Sequence, residues 1–347
     1  MVKIGLAAPF EGLDRPLGYE ALAGVKLALA ERNAAGGVNG YMLELVALND
    51  LSELQEARLQ AREFAVDPAV LGVITGWSEE TAEAAFPVYR QLGLAVAVPW
   101  SVLPEQADAG SGVVLVAADT QLAAQELARS VAESGSTRLV VIGDESVAAP
   151  YLAALEALDV HAQRVAPPDV AGGEALDAWT TRLVASRRLE GVPPDTLLLA
   201  TDGVMAGEVL RALTALNWPG KVFGGVPVGS IHSVTVAGDA ASGLTFVSPS
   251  PAGKDALHDE AQVKDELGPR AVLAYDAAQV LLDAIELAIR RDGHPSRQGV
   301  LETLPQVQRQ GLTGNIAFDE TGRRRDAPVW LYKIVDREYP GQVLSSR

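Results

Sequence analysis

Two loops of the sequence place a tryptophan beside hydroxyl and carboxylate side chains. Their residues are Trp77, Ser78, Glu79 and Glu80 in the first loop and Trp100 and Ser101 in the second. An indole ring offers a large contact area, and its face attracts cations. The two loops together predict a surface that binds an aromatic or cationic small molecule between Trp77 and Trp100. The alternatives are structural: either ring could cover a core, and Glu79 and Glu80 could begin a helix, where the macrodipole favours carboxylates.

A third loop, residues 201–203, carries Asp202 between two predicted elements. Its carboxylate has two alternative roles. It could accept a hydrogen bond from a ligand, or it could cap the helix predicted to begin near Val204.

The glycine cluster at residues 36–40, GGVNG, looks at first like a phosphate-binding loop. It follows a predicted helix and precedes a predicted strand, whereas a phosphate loop needs the reverse order, because the anion sits at a helix N-terminus. The cluster therefore predicts the end of a helix and a tight turn at Asn39-Gly40.

The composition argues against several functional classes, among them nucleic-acid-binding proteins and metalloproteins. The 347 residues carry a net charge of −17 and no cysteine, and the four histidines lack metal-ligand spacing. The acidity argues against nucleic-acid binding. The missing thiols exclude cysteine-ligated metals, and no nucleophile elbow or dinucleotide fingerprint is present. We therefore expect no enzyme, no cofactor and no metal. No apolar run is long enough to cross a bilayer, so we expect no membrane insertion of this segment.

Apolar runs alternate with helical patterns along the first two thirds of the chain. The predicted strands are residues 2–8, 42–48, 70–75, 94–98, 138–142, 160–165, 196–200 and 222–225. Strands that are apolar throughout are typical of parallel sheets buried on both faces, so the pattern predicts a doubly wound α/β fold. After Gly243 the sequence predicts helices at 256–266 and 271–291. It also predicts strands at 244–248, 311–318 and 329–335, the last two joined by a turn at 319–322.

At this point the sequence resembles a known family. The stretches IGLAAPFEG, GYEALAGVKLALAERNAAGGVNGYMLELVALND and VLGVITGWSEETAEAAFPVYRQLGLAVAVPWS look like its first four β-α units. LAYDAAQVLLDAIELA and LTGNIAFDETGRRRDAPVWLYKIV resemble its closing segments. The chain is similar, over nearly its whole length, to the leucine/isoleucine/valine-binding proteins. These are type I periplasmic solute-binding proteins of ABC transporters.

The resemblance implies two Rossmann-like lobes with parallel sheets, joined by three crossings and closing on a ligand between them. The first lobe would comprise residues 1–117 and 249–326, and the second residues 118–248 and 327–347. The ligand would lie in the cleft, where we also expect Phe10, Tyr151 and Tyr275.

The family's ligand-binding residues match this chain incompletely. The serine that holds an amino acid's carboxylate corresponds to Glu79, with Ser78 beside it, and a threonine corresponds to Val102. The tyrosine of the second lobe falls near Ala148, close to Tyr151. The acidic residue that meets the ammonium group corresponds to Val226. An ordinary α-amino acid is therefore in doubt as the ligand.

The resemblance implies an extracytoplasmic receptor that delivers a small molecule to ABC permease subunits, from the periplasm or the cell surface. The sequence starts at Met1 and enters a predicted strand at once, which leaves two alternatives: a mature form without its signal peptide, or a cytosolic ligand sensor that regulates a partner protein. An α/β enzyme is the third alternative.

Overall fold

The chain folds into two compact units. The structure, a computed structural model, describes residues 1–100, 112–168, 173–185, 193–253 and 268–346. Unit 1 comprises Met1–Asp119 and Pro249–Pro328, and unit 2 comprises Thr120–Ser248 and Val329–Arg347. The chain therefore passes three times from one unit to the other.

Unit 1 is built on a parallel sheet in the order β2-β1-β3-β4-β5. Its strands are β1 (Val2–Ala8), β2 (Leu43–Asn49), β3 (Val70–Ile74), β4 (Ala95–Val98) and β5 (Val113–Leu115). Its helices are α1 (Arg15–Ala34), α2 (Leu54–Val66), α3 (Glu79–Gln91), α9 (Pro269–Asp292) and α10 (Arg297–Thr303). β3 and β4 are buried along their whole length, which explains why they are apolar at every position.

Unit 2 is built on a seven-stranded sheet in the order β14-β13-β10-β9-β8-β6-β7. Its strands are β6 (Leu139–Ile142), β7 (Ala162–Val165), β8 (Thr196–Leu199), β9 (Lys221–Gly224), β10 (Thr245–Ser248), β13 (Trp330–Val335) and β14 (Glu338–Ser346). Its helices are α4 (Thr120–Glu133), α5 (Glu145–Glu156), α6 (Gly173–Val184), α7 (Gly203–Ala215) and α8 (Ile231–Ala237). The predicted α/β architecture with parallel sheets is confirmed, with antiparallel pairing added at β10, β13 and β14.

The glycine cluster ends α1, as predicted. Gly36, Gly37 and Gly40 all have positive φ, and the Gly37 N–H donates to Arg32 O at 2.8 Å. Asn33 then fixes the start of β2, because its side chain both accepts from Leu43 N and donates to Leu43 O. The cluster is a helix stop and a turn.

The predicted strand at residues 311–318 and its predicted turn into the strand at 329–335 were wrong. Residues 311–318 do not form one strand, because β11 (Gln308–Gly311) and β12 (Gly314–Ala317) pair with each other as a hairpin within unit 1. β13 pairs instead with β10 and with β14 of unit 2. The predicted helix at 256–266 lies outside the described residues.

Candidate ligand-binding site

The loop between β3 and α3 presents Trp77 at the carboxyl end of the sheet in unit 1. The Trp77 indole N–H donates to Ala7 O, near the end of the neighbouring strand β1, at 2.9 Å. The residue is 8% exposed. This hydrogen bond fixes the orientation of the Trp77 ring. Because the indole N–H is already bonded, the side chain can offer a ligand mainly the apolar surface of its ring.

The next three residues begin α3. Ser78 is the N-cap, and its Oγ accepts from Thr81 N at 3.3 Å. Glu79 and Glu80 follow in the first turn, and both are exposed. The structural alternative accounts for this placement, since an N-cap hydroxyl and acidic residues in the first turn both stabilise a helix start.

Trp100 follows β4, the neighbour of β3, and it contacts a residue that the sequence did not single out. The Arg270 guanidinium carbon lies 4.2 Å from the centroid of the Trp100 ring. Trp100 and Arg270 are each 4% exposed. One face of this indole therefore already carries a cation. Ser101 lies outside the described residues.

Arg270 is positioned by the packing of α1 against α9. A Cβ on Gly24 of α1 would lie 2.0 Å from Ala271 O, so only glycine lets the two helices approach this closely. One turn earlier on α1, the Glu20 carboxylate accepts from the backbone N–H of Arg270 at 3.3 Å. Burial raises the pKa of Glu20 to about 7, against the opposing effect of the Arg270 charge.

Phe10 and Tyr275 occupy other parts of unit 1. The Phe10 backbone N–H donates to Asn49 Oδ1 at 2.9 Å, and its ring meets the edge of Tyr19. Phe10 follows β1, which neighbours β3. The Tyr275 hydroxyl donates to Glu31 Oε2 at 2.5 Å, so Tyr275 is engaged between α9 and the last turns of α1.

In unit 2, Asp202 caps α7. Its Oδ1 accepts from Val204 N at 2.8 Å and from Met205 N at 2.9 Å. These bonds satisfy two of the N–H groups that a helix start leaves unpaired. Asp202 nevertheless lies three residues after the end of β8, and this places it at the carboxyl end of the sheet.

Tyr151 fixes the loop that follows β9. The Tyr151 side chain is buried, and its hydroxyl accepts from Val226 N at 3.0 Å. Burial raises the pKa of this hydroxyl to about 12, so it stays protonated at neutral pH. The same loop ends at Ser230, whose buried Oγ has no hydrogen-bond partner among the described residues.

The predicted residues thus fall into groups by unit. Trp77, with the three residues after it, and Trp100 follow neighbouring strands of unit 1. In unit 2, Asp202 follows β8, and Tyr151 of α5 bonds to the loop after the neighbouring strand β9. Sequence reasoning missed Arg270 and Glu20. An arginine and a glutamate in helices are ordinary surface residues in a sequence, and only the contact between α1 and α9 brings them to Trp100.

Comparison with known protein families shows to which family this chain belongs. The family described as periplasmic binding protein matches residues 1–338. The chain belongs to this family. The predicted resemblance is confirmed, and the protein is a binding protein of the ABC transporter type rather than an enzyme.

Relatives agree over almost the full chain. A leucine-, isoleucine-, valine-, threonine- and alanine-binding protein of Pseudomonas aeruginosa is 25% identical over 341 residues, covering 96% of this chain and 89% of the relative. A Leu/Ile/Val-binding protein of Escherichia coli K12 is 20% identical, covering 92% and 87%.

Solved structures show the same fold. A leucine-binding protein of Thermotoga maritima superposes with a TM-score of 0.84 at 21% identity, covering 100% of this chain and 98% of that one. A branched-chain amino acid binding protein of Streptococcus pneumoniae in complex with isoleucine gives 0.81 at 20% identity, covering 100% and 98%. In the described ranges, no helix is both long and apolar enough to cross a membrane, and no cluster of side chains there could hold a metal ion.

Proposed function

We propose that this protein is an extracytoplasmic receptor that binds a small organic molecule and delivers it to the membrane subunits of an ABC importer. The family match over residues 1–338 carries the proposal. The two relatives above are named for their ligands: leucine, isoleucine and valine for both, with threonine and alanine added for the Pseudomonas protein. The ligand of this chain is therefore amino-acid-like at the level of the family.

Units 1 and 2 act in this proposal as the two predicted lobes, 1–117 with 249–326 and 118–248 with 327–347. Each unit carries its own sheet, and in α/β sheets the loops at the carboxyl ends of the strands are the usual ligand-binding positions. In this proposal the ligand is bound by such loops, and the chain passages near residues 119, 248 and 328 are the hinges about which the receptor closes.

The test is a binding screen with purified protein. Amino acids, organic acids and amines are added singly, and thermal unfolding is measured, because a ligand that binds only the folded state raises Tm. Hits are titrated by calorimetry, and small-angle scattering measures the radius of gyration with and without the hit. We expect a hit that also makes the protein more compact. A full panel that leaves both Tm and the radius of gyration unchanged would overturn the proposal.

The aromatic loops are tested with the hit from that screen. Trp77→Ala and Trp100→Ala each remove a ring at the carboxyl end of the sheet in unit 1, and we expect affinity to fall about tenfold or more. Trp218→Ala is the matched control, because Trp218 packs on the core of unit 2 just before β9 begins. Unchanged affinity in both loop variants would remove the loops from the site.

A further inference from the structure

Arg270 is a buried cation near the carboxyl end of the sheet in unit 1. It lies in the first turn of α9, directly after Gly268 and Pro269, with 4% of its surface exposed. Its guanidinium lies over the Trp100 ring and is attracted to it. The ring does not accept hydrogen bonds from the N–H groups at the edges of the guanidinium plane.

Two of the three guanidinium nitrogens of Arg270 lack an acceptor among the described residues. Nε and Nη1 are both buried and have no hydrogen-bond partner among the residues that the structure describes. The nearby carboxylate of Glu20 is used differently, since it accepts from the backbone N–H of Arg270. No described carboxylate forms an ion pair with this guanidinium. Leaving such donors unpaired is costly, because each has lost its water without gaining an acceptor.

Trp100 and Arg270 lie at the carboxyl end of the sheet in unit 1, where the proposed function places the ligand. Trp100 follows β4, and Trp77 follows the neighbouring strand β3. The start of α9 adds the positive end of a 24-residue helix. A guanidinium, a helix N-terminus and an aromatic ring therefore converge at one place in unit 1.

We propose that Arg270 and Trp100 form a subsite for a carboxylate of the transported solute, here called the arginine subsite. The guanidinium stays charged, and its unpaired Nε–H and Nη1–H groups can each donate a charge-assisted hydrogen bond to a carboxylate oxygen. A cationic group fits poorly at this face of Trp100, because Arg270 already covers it and would repel a second positive charge. The inference rests on the proposed function and names the class of solute: an organic acid or an amino acid held by its carboxylate.

The experiment compares molecules that differ only in charge. Three sets of probes share a skeleton: benzoate, benzamide and benzylamine; 4-methylpentanoate and its amide; and L-leucine with L-leucinamide. Each is titrated by calorimetry against the wild type, Arg270→Gln and Arg270→Lys. We expect the carboxylates to bind the wild type more tightly than their amides and amines do. Arg270→Gln should weaken carboxylate binding about ten- to hundredfold and leave the amides unchanged. Arg270→Lys should recover part of the loss.

Arg297→Gln is the control variant. Arg297 is a partly buried arginine of unit 1, and it donates to Val70 O at 2.9 Å and to Asp67 O at 2.7 Å, where β3 begins, at the opposite end of the sheet. We expect its substitution to lower Tm without altering the preference for carboxylates. Circular dichroism confirms that each variant is folded before titration.

The outcomes separate this inference from the function on which it rests. An amide or amine that binds the wild type as tightly as its acid overturns the arginine subsite and leaves the receptor function standing. So does a carboxylate that binds Arg270→Gln with wild-type affinity. If no probe and no member of the wider panel binds, the receptor function fails and the subsite fails with it.

Discussion

Among the residues that the structure describes, unit 1 buries two arginines, and they differ in whether their donors find hydrogen-bond acceptors. Arg324 is 7% exposed and Arg270 is 4% exposed. Arg324 donates to Asn315 O at 3.0 Å, to Val116 O at 3.0 Å, and to both the hydroxyl and the carbonyl of Thr313 at 2.7 and 2.8 Å. Arg270 has no hydrogen-bond acceptor for Nε or Nη1 among the described residues.

The difference separates an arginine whose donors are satisfied within the fold from one with two donors that have no acceptor among the described residues. Arg324 shares Thr313 with Asp276, a fully buried carboxylate that accepts from Leu312 N and Thr313 N. Burial lowers the pKa of Arg324 to about 10, with Asp276 acting in the opposite direction, so the guanidinium stays charged at neutral pH. A satisfied network of this kind fixes the fold. An unsatisfied one costs stability, which an incoming acceptor would restore.

The largest effect should come from Arg324→Met. The substitution leaves four acceptor contacts empty and removes the cation near Asp276, so we expect a loss of about 3–5 kcal/mol in the free energy of unfolding. Urea denaturation measures it. Arg323→Met is the control, because Arg323 makes a partly exposed ion pair with Asp119 at 3.3 Å and should cost less than about 1 kcal/mol. Equal losses in the two variants would contradict the comparison.

The next largest effect is a pH dependence of the free energy of unfolding that arises from Glu20, next to Arg270. Its folded pKa of about 7 lies above its ordinary value of 4.5, so folding favours the protonated form. Its contribution to stability is therefore complete below pH 4.5 and is lost as the pH rises through about 7. The full shift corresponds to at most about 3 kcal/mol, and we expect about 2 because the residue is only partly buried.

Glu20→Gln removes this titration. The difference in unfolding free energy between wild type and variant should change across pH 4.5–7 and be flat outside it. Asp50→Asn is the comparison, because burial also raises the pKa of Asp50, from 3.8 to about 6, and its window lies lower. A difference that is flat between pH 4 and 8 for Glu20→Gln would show that this carboxyl group titrates normally.

Much of the fold could be predicted from the sequence, for a physical reason. Strands such as β3 and β4 are buried on both faces, so every residue must be apolar and the pattern is visible without any structure. The hairpin of β11 and β12 and the terminal strand β14 were missed or misplaced. Their residues are largely polar and partly exposed, so they carry no apolar run.

The candidate site was less predictable. The two tryptophan loops follow strands and could be found by position. The burial of Arg270 depends on contacts with Trp100 and Glu20, 170 and 250 residues earlier in the chain. No local pattern reports such contacts. The capping role of Asp202 could be anticipated as one of two alternatives, since an aspartate before a helix is the usual cap.

A smaller effect, with the opposite sign to that of Arg324, is expected for Arg270→Met in the ligand-free protein. Methionine can cover the Trp100 ring without burying unpaired N–H groups, so the free energy of unfolding should rise by about 1–2 kcal/mol. Chemical denaturation without any added solute measures this change. A loss of stability of 2 kcal/mol or more would show that Arg270, like Arg324, is structural.

The smallest effect extends the comparison to unit 2, where Asp202 is satisfied and Ser230 is not. Oδ1 of Asp202 already accepts from two backbone N–H groups of α7, so Asp202→Ala should cost about 1 kcal/mol, while Asp202→Asn should keep most of the cap. Ser230→Ala removes a buried hydroxyl that has no partner among the described residues, so stability should stay the same or rise. Titration of the solute found in the screen separates the roles: a cap predicts unchanged affinity in Asp202→Asn, and weaker binding there would place Asp202 in contact with ligand. If the comparison holds in both units, it is Ser230→Ala that weakens binding, because a buried hydroxyl with no partner among the described residues can bond to a ligand.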